Sequence, residues 1–312
     1  MIRKSRALTR LILYIAVIFL PAFAWAASPP CGPPAEAYPT TLYQLSYTPL
    51  YQFDTDLDSG GSFDVQRHLL RIGASRALNR SWTLGVGLSF DYEHWNFSGI
   101  DGLAGADLWD DIYRPGISLP LFYSTANRWR FGIIPSFDMA AASGADTGES
   151  LSYGAVLSAA RSIRPGLMIG VGVGLFERLD QGEVFPYVVI DWKISDRLRL
   201  SNPFQAGPVG PAGLELSYRT ADAWELGLGG AYRSYRFRLD DSSAVEEGIA
   251  EVDFWAPFAR MGRKLGEQIW LDLNGGVLLN GNITIEDKDS DKLGDSDYDP
   301  TPFVGLTLRG RF

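Results

Sequence analysis

The chain has 312 residues, with 28 Lys and Arg against 37 Asp and Glu and a formal charge of −9, a balance that argues against nucleic acid or a broad anionic surface as its partner. It carries 34 Gly, 17 Phe, 14 Tyr and 9 Trp, yet after the first 26 residues it has no apolar run of membrane-helix length, which excludes a helical membrane protein. One cysteine excludes an internal disulfide.

Arg3, Lys4, Arg6 and Arg10 precede an apolar run from Leu11 to Leu20, and Ala24-Trp25-Ala26 follows as a small-x-small cleavage site. The run is short for a spanning helix and Pro21 breaks it, so residues 1–26 are predicted to be a cleaved export signal. Removing its four basic residues leaves 24 against 37 acids, a formal charge of −13. Residues 27–40 hold five prolines and are expected to form a tether without a regular fold. Cys31 lies there, after Ser28-Pro29-Pro30, which lacks the small-residue context of a lipidation site.

From residue 41 onward alternating runs are joined by connections that are in turn short and long. Short polar turns fall at Asn79–Ser81, Ala126–Arg128, Ser162–Pro165, Ser195–Arg197, Ala221–Ala223 and Gly262–Gly266. Longer loops lie at about 56–61, 98–110, 143–148, 179–182, 207–211, 240–246 and 282–299. Thirteen connections join about fourteen strands and put both ends of residues 41–312 on the short-turn side. Residues 183–206 are poorly periodic and contain Pro186 and Pro203, which leaves twelve strands as an alternative.

Trp82, Leu84, Val86, Leu88, Phe90 and Tyr92 share one face of a strand, against Thr83, Gly85, Gly87, Ser89, Asp91 and Glu93 on the other. The division recurs at Leu167–Leu175 and Trp224–Arg233. Large residues are therefore assigned to lipid, and small or charged ones to a lumen. Trp82, Trp129, Trp192, Trp224 and Trp270 lie near short turns, as a headgroup-level girdle would, although Trp270 is out of phase with Ile269, Leu271 and Leu273. The last strand alternates from Thr301 to Arg311 and ends on Phe312. The reading is an all-β, transmembrane antiparallel up-and-down barrel over residues 41–312.

These features resemble an uncharacterised Gram-negative outer-membrane β-barrel family of porin-like channels, akin to barrels linked with phenol meta-pathway degradation. The resemblance implies passage of small polar or aromatic solutes, an outer-membrane location among lipid and lipopolysaccharide, and recognition of Phe312 by the barrel-assembly machinery.

Asp91, Glu93, Arg114, Arg128, Arg130, Asp138, Glu215, Arg219, Glu225, Arg233, Asp272, Arg309 and Arg311 are expected to project inward. Opposed acidic and basic walls would orient polar solutes in a passive channel, whereas mutually paired charges would seal a narrow structural or adhesion barrel. Asp287, Asp289 and Asp291 repeat the spacing of Asp54, Asp56 and Asp58, and closure of the barrel is expected to bring both acidic loops to one seam. Lys292 and Tyr298 stand where a helix-loop-helix calcium site needs glycine and glutamate, so only a loose Ca²⁺ or Mg²⁺ cluster is expected from these six carboxylates, beside the alternative of a solvated acidic loop. His68 and His94 are the two histidines; His94 has Ser98 nearby, but the spacing fits no hydrolase pattern, and the chain is read as a non-enzyme with no cofactor.

Overall fold

A computed structural model describes residues 41–179, 181–202, 213–221 and 223–312. The expected export signal, the tether with Cys31, the 207–211 loop, Pro203 and Asp222 lie outside the described residues.

The described residues contain strands and no helix: β1 (Thr41–Asp56), β2 (Ser62–Ala77), β3 (Trp82–Ser98), β4 (Asp111–Ser118), β5 (Leu121–Ser124), β6 (Trp129–Met139), β7 (Ala141–Ala142), β8 (Leu151–Arg164), β9 (Leu167–Arg178), β10 (Gln181–Lys193), β11 (Leu198–Ser201), β12 (Leu214–Arg219), β13 (Trp224–Arg238), β14 (Ile249–Lys264), β15 (Ile269–Glu286), β16 (Lys292–Tyr298) and β17 (Thr301–Arg311). Three pairs, β4 with β5, β6 with β7 and β16 with β17, are single barrel strands with a break, so the barrel has fourteen staves. Pro120 and Pro300 sit in two of the breaks, where a residue without an N–H cannot donate to the ladder. Neighbouring staves pair antiparallel, and β1 closes the sheet onto β17 with Gln44 opposite Arg311 and Gln52 opposite Phe303.

Side-chain capping explains several of the short turns. Asn79 Oδ1 accepts the N–H groups of Ser81 and Trp82 at 2.9 Å each. Ser195 Oγ accepts those of Arg197 and Leu198 at 3.3 and 3.0 Å. Thr125 and Thr220 hydroxyls accept the N–H of Trp129 and Trp224. Short polar side chains thus supply the bonds that the ladder loses where the chain reverses.

The faces divide as alternation requires, and it is the large apolar side chains that point away from the barrel axis. Leu84, Val86, Leu88 and Phe90 are exposed, and Val171, Val184 and Leu228 are each at least 66% exposed. A soluble sandwich would bury this belt; only lipid makes it stable. On β3 the belt runs from Trp82 to Tyr92, ten residues that at ~3.3 Å each and a tilt of ~40° span about 25 Å, the height of a barrel's apolar band. Trp82, Trp129 and Trp224 point outward at the short-turn rim, as expected. Trp270 does not: it shares the inward face with Asp272, between the guanidinium of Arg309 and the ammonium of Lys264, each 5.3 Å from its ring.

One pairing departs from up-and-down order. At the long-loop end Arg238 of β13 pairs in parallel with Ala141 of β7, and Arg238 N–H donates to Ala140 O at 2.9 Å. Staves β8 to β12 lie between these two in barrel order. Above this level, therefore, β13 to β17 and β1 to β7 close on each other, and the wall of β8 to β12 is left outside a narrower outer section.

The outward face of β13 records the same departure. It presents Leu226 and Leu228 to lipid, then Ser234, Arg236 and Arg238, all buried. Arg236 donates to Ser290 Oγ at 3.0 Å and pairs with Glu286 at 2.6 Å and Glu251 at 3.4 Å. The tip of β9 covers them, with Arg178 Nη1 3.4 Å from Ser234 Oγ. The upper part of β13 is thus sheathed by protein on both faces and has left the lipid boundary.

Candidate functional site: the barrel lumen

Inward residues of β2 to β4 form the first ionic group. Glu93 is buried between two cations, with Arg67 Nε at 3.3 Å and Arg114 Nη1 at 3.0 Å, and it accepts the Trp95 indole N–H at 3.2 Å. Arg67 also donates to Gln52 at 2.9 Å, and its guanidinium lies 5.6 Å from the Trp95 ring and 5.5 Å from Tyr235. Arg114 faces the same Tyr235 ring at 5.0 Å. Next to them Arg71 forms a bidentate pair with Asp91, and Arg233 and Asp138 face inward at this level.

The second group joins five staves nearer the short-turn rim. Arg260 of β14 donates to Glu215 of β12 at 2.5 Å, Glu225 of β13 at 2.6 Å and Asp272 of β15 at 2.8 Å. Arg309 of β17 takes the other oxygen of Asp272 at 2.7 Å. Arg219 and Arg311 stand exposed at the mouth, Arg219 lying 3.6 Å from Glu225. Arg130 stacks on Phe122 with 4.4 Å between guanidinium carbon and ring centre. Arg128, expected in the lumen, instead occupies an exposed turn at φ 65°.

The expectation that lumen positions are small or charged fails in the outer section. There the inward face carries Phe63, Val65, Trp95, Phe237, Val252, Phe254, Ile283 and Tyr298 in one buried apolar cluster. The 98–110 loop turns in to complete it: Leu103, Ala106 and Trp109 are buried, and the Trp109 ring meets Phe237 at 5.2 Å and Phe97 at 5.3 Å, both edge-on. Trp95 and Phe97 share a face with Asp91 and Glu93, so continuing the alternation past Glu93 was the signal for this cluster. Trp109, inside an Asp- and Gly-rich loop, left no periodic trace.

Lumen glycines have a specific occupant. A side-chain carbon added at Gly172 would collide with the ring of Tyr187, one at Gly174 with Phe185, and one at Gly281 with Tyr298. The rings lie flat over the glycines of the neighbouring stave and so stay against the wall. Phe185 and Phe176, stacked at 5.8 Å, join Ile134 and Val156 in an apolar lining with Tyr187 and Phe122 packed against it. We expect Gly172→Val to lower stability by about 1–3 kcal/mol through overpacking, read from the urea midpoint of the refolded barrel. Adding Tyr187→Ala should restore part of the loss; an unchanged midpoint in the single variant would refute the close fit.

The acidic loops meet only in part. Asp58 N–H donates to Asp297 O at 2.9 Å and Asp299 N–H to Asp56 O at 3.0 Å, so the first loop lies beside residues 297–299. Asp287, Asp289 and Asp291 sit instead at the tip beyond β15 and β16, where Asp287 Oδ1 accepts the N–H groups of Asp289 and Asp291. Among the described residues no group of three or more possible ligands is close enough to hold a metal ion. The pairing of β15 and β16 over Gly281–Glu286 lifts the tip away from the first loop, a separation that loop spacing alone does not reveal.

His94 Nδ1 lies 2.8 Å from Asp111 Oδ1, to which Tyr92 OH also donates at 2.7 Å. No hydrogen bond joins His94 to Ser98 among the described residues. His68 bonds Tyr47 OH at 2.7 Å on the outward face. Phe312 is tied into the closing seam, exchanging backbone bonds of 2.9 Å with Tyr43.

A family model described as a domain of unknown function, DUF6268, matches residues 75–303. No curated protein matches the chain. Among solved structures, the COG4313 outer membrane channel from Pseudomonas putida F1 is similar at 11% identity, with 87% of this chain and 95% of that one covered and a TM-score of 0.49. The P. putida toluene transporter TodX is similar at 8% identity, over 87% and 90% of the two chains, with a TM-score of 0.42. The translocator domain of autotransporter NalP from Neisseria meningitidis is similar at 13% identity, over 88% and 89%, with a TM-score of 0.34.

Proposed function

The chain belongs to the DUF6268 family, and from that premise we propose that it is an outer-membrane passive channel for small polar or aromatic solutes, narrowed at its outer end by the apolar section. Phe312 serves as its assembly signal, and the acidic outer loops face lipopolysaccharide. The observation that carries this reading is the two-sided lumen. One wall, β5 to β10, presents Phe122, Phe176, Phe185 and Tyr187; elsewhere the inner face presents Arg71, Asp91 and Arg114. An amphiphilic solute finds an apolar surface for its ring and a charged one for its polar group, while the ionic field orients it.

Liposome uptake tests the proposal. Liposomes holding the refolded barrel should admit benzoate faster than a hexose, and both faster than protein-free liposomes. Uptake equal to protein-free liposomes would reject the channel and favour a sealed structural barrel, the second reading. That reading draws support from the complete pairing of Arg260 with Glu215, Glu225 and Asp272.

A further inference from the structure

Two arginines on the lipid-facing side each sit against a rim tryptophan. Arg161 of β8 lies on the outward face, opposite Trp129 of β6 on one side and Ile169 of β9 on the other. Its guanidinium carbon is 5.7 Å from the Trp129 ring. The arrangement recurs on the far wall, where Arg263 of β14 is the register partner of Trp224 and lies 5.0 Å from its ring. A cation on the lipid-facing side, seated on an indole at the rim, is positioned at the headgroup layer.

The first pair opens onto a groove of about 500 Å³ between the 125–128 and 162–166 turns, lined by Asn127, Arg128, Trp129, Arg161, Ser162 and Ile163 with Ala126. Two of its side chains are cationic and none is acidic. Among the described residues neither Arg128 nor Arg161 has a carboxylate within 4 Å. Above the groove the outward face continues with exposed Phe131, Ile133 and Leu157, a surface for acyl chains.

We propose that this groove binds the headgroup of an anionic phospholipid in the periplasmic leaflet, with Arg128 and Arg161 on its phosphate and the acyl chains along Phe131, Ile133 and Leu157. Charge complementarity selects this occupant. Two guanidiniums without a carboxylate partner suit a phosphate diester, and a zwitterionic lipid would bring its own cation against them. The site rests on the outer-membrane placement proposed above but not on the lumen's being open.

Native mass spectrometry of the refolded full barrel tests it, with phosphatidylglycerol, phosphatidylcholine of the same chains, or inorganic phosphate added to the detergent. Wild type should retain phosphatidylglycerol over phosphatidylcholine. Arg161→Gln should reduce that preference about five-fold, as loss of one interfacial cation implies, and Arg128→Gln with it should abolish the preference. Arg161→Lys, which keeps the charge if the glutamine variant fails to fold, should keep most of it, and Arg80→Gln, in a turn outside the groove, should leave it unchanged. Equal retention of the two lipids, an undiminished preference in the double variant, or an equal loss in Arg80→Gln would each overturn the proposal. Displacement of the lipid by millimolar phosphate would do so as well, by assigning the groove to the free ion.

Discussion

Arg260→Met should lower the unfolding free energy by about 3–5 kcal/mol, the usual consequence of removing one partner of a buried charge group. The Arg260 side chain is 2% exposed, and those of Glu215 and Asp272 are 4% and 0%. Methionine fills a similar volume, but it leaves the carboxylates of Glu215, Glu225 and Asp272 converging, with Arg309 still paired to Asp272. The acids come from three staves, β12, β13 and β15, so their repulsion acts across the sheet ladder. β12 is short, with six residues, and has little ladder of its own to resist. Arg260→Lys should also destabilise, because an ammonium cannot reproduce the planar fork that reaches three acceptors. Adding Glu215→Gln to Arg260→Met should recover part of the loss. Urea unfolding followed by tryptophan fluorescence measures all three, and a midpoint unmoved by Arg260→Met would show that the group contributes nothing.

The second large effect concerns passage. Replacing Trp109 and Phe237 together by alanine should raise the conductance of the barrel in planar bilayers at least about threefold, by removing the two rings that fill the centre of the outer section and letting water enter an apolar constriction. Trp109 is brought in by a loop and Phe237 by β13, so neither substitution touches the ionic groups below. Each ring buries on the order of 150–250 Å², so removing both leaves a cavity in the outer section. Current steps identical to wild type would show that the resistance lies elsewhere, at the Arg67–Glu93–Arg114 level.

The barrel was legible because lipid imposes a strict alternation. From Trp82 to Glu93 every second side chain is large and apolar, and the structure puts that face outward. The stave count followed from the regular sequence of short and long connections, and even the weak 183–206 region proved to hold the expected strands, β10 and β11. The outer section was harder to read. Its closure depends on one pairing between Arg238 and Ala141, residues almost a hundred positions apart, and no local period encodes a contact between staves that are not neighbours. A trace does exist, in the change of the outward face of β13 from Leu226 and Leu228 to Ser234, Arg236 and Arg238. A lipid-facing row that turns polar before the strand ends marks a strand that has moved under cover.

The ionic site was half legible. Asp91, Glu93, Arg114, Glu215, Glu225, Asp272 and Arg309 all face inward as alternation required. Their main cations, Arg67, Arg71 and Arg260, were missed. Alternation carried through β2 and β14 places all three inward, yet both strands also carry arginine on the outward face, at Arg76 and Arg263, so residue type alone did not mark the lumen cations.

Thiol accessibility tests the central claim, that an apolar outer section caps a wetter lumen. In a Cys31→Ser background, cysteine at Ser158, on the inward face of β8, and at Val252, in the outer cluster, would be reacted with a small charged thiol reagent in reconstituted vesicles. The account predicts rapid labelling at position 158 and none at position 252 until Trp109 and Phe237 are replaced by alanine. Rapid labelling at position 252 in the intact barrel, or none at position 158 in any variant, would contradict it.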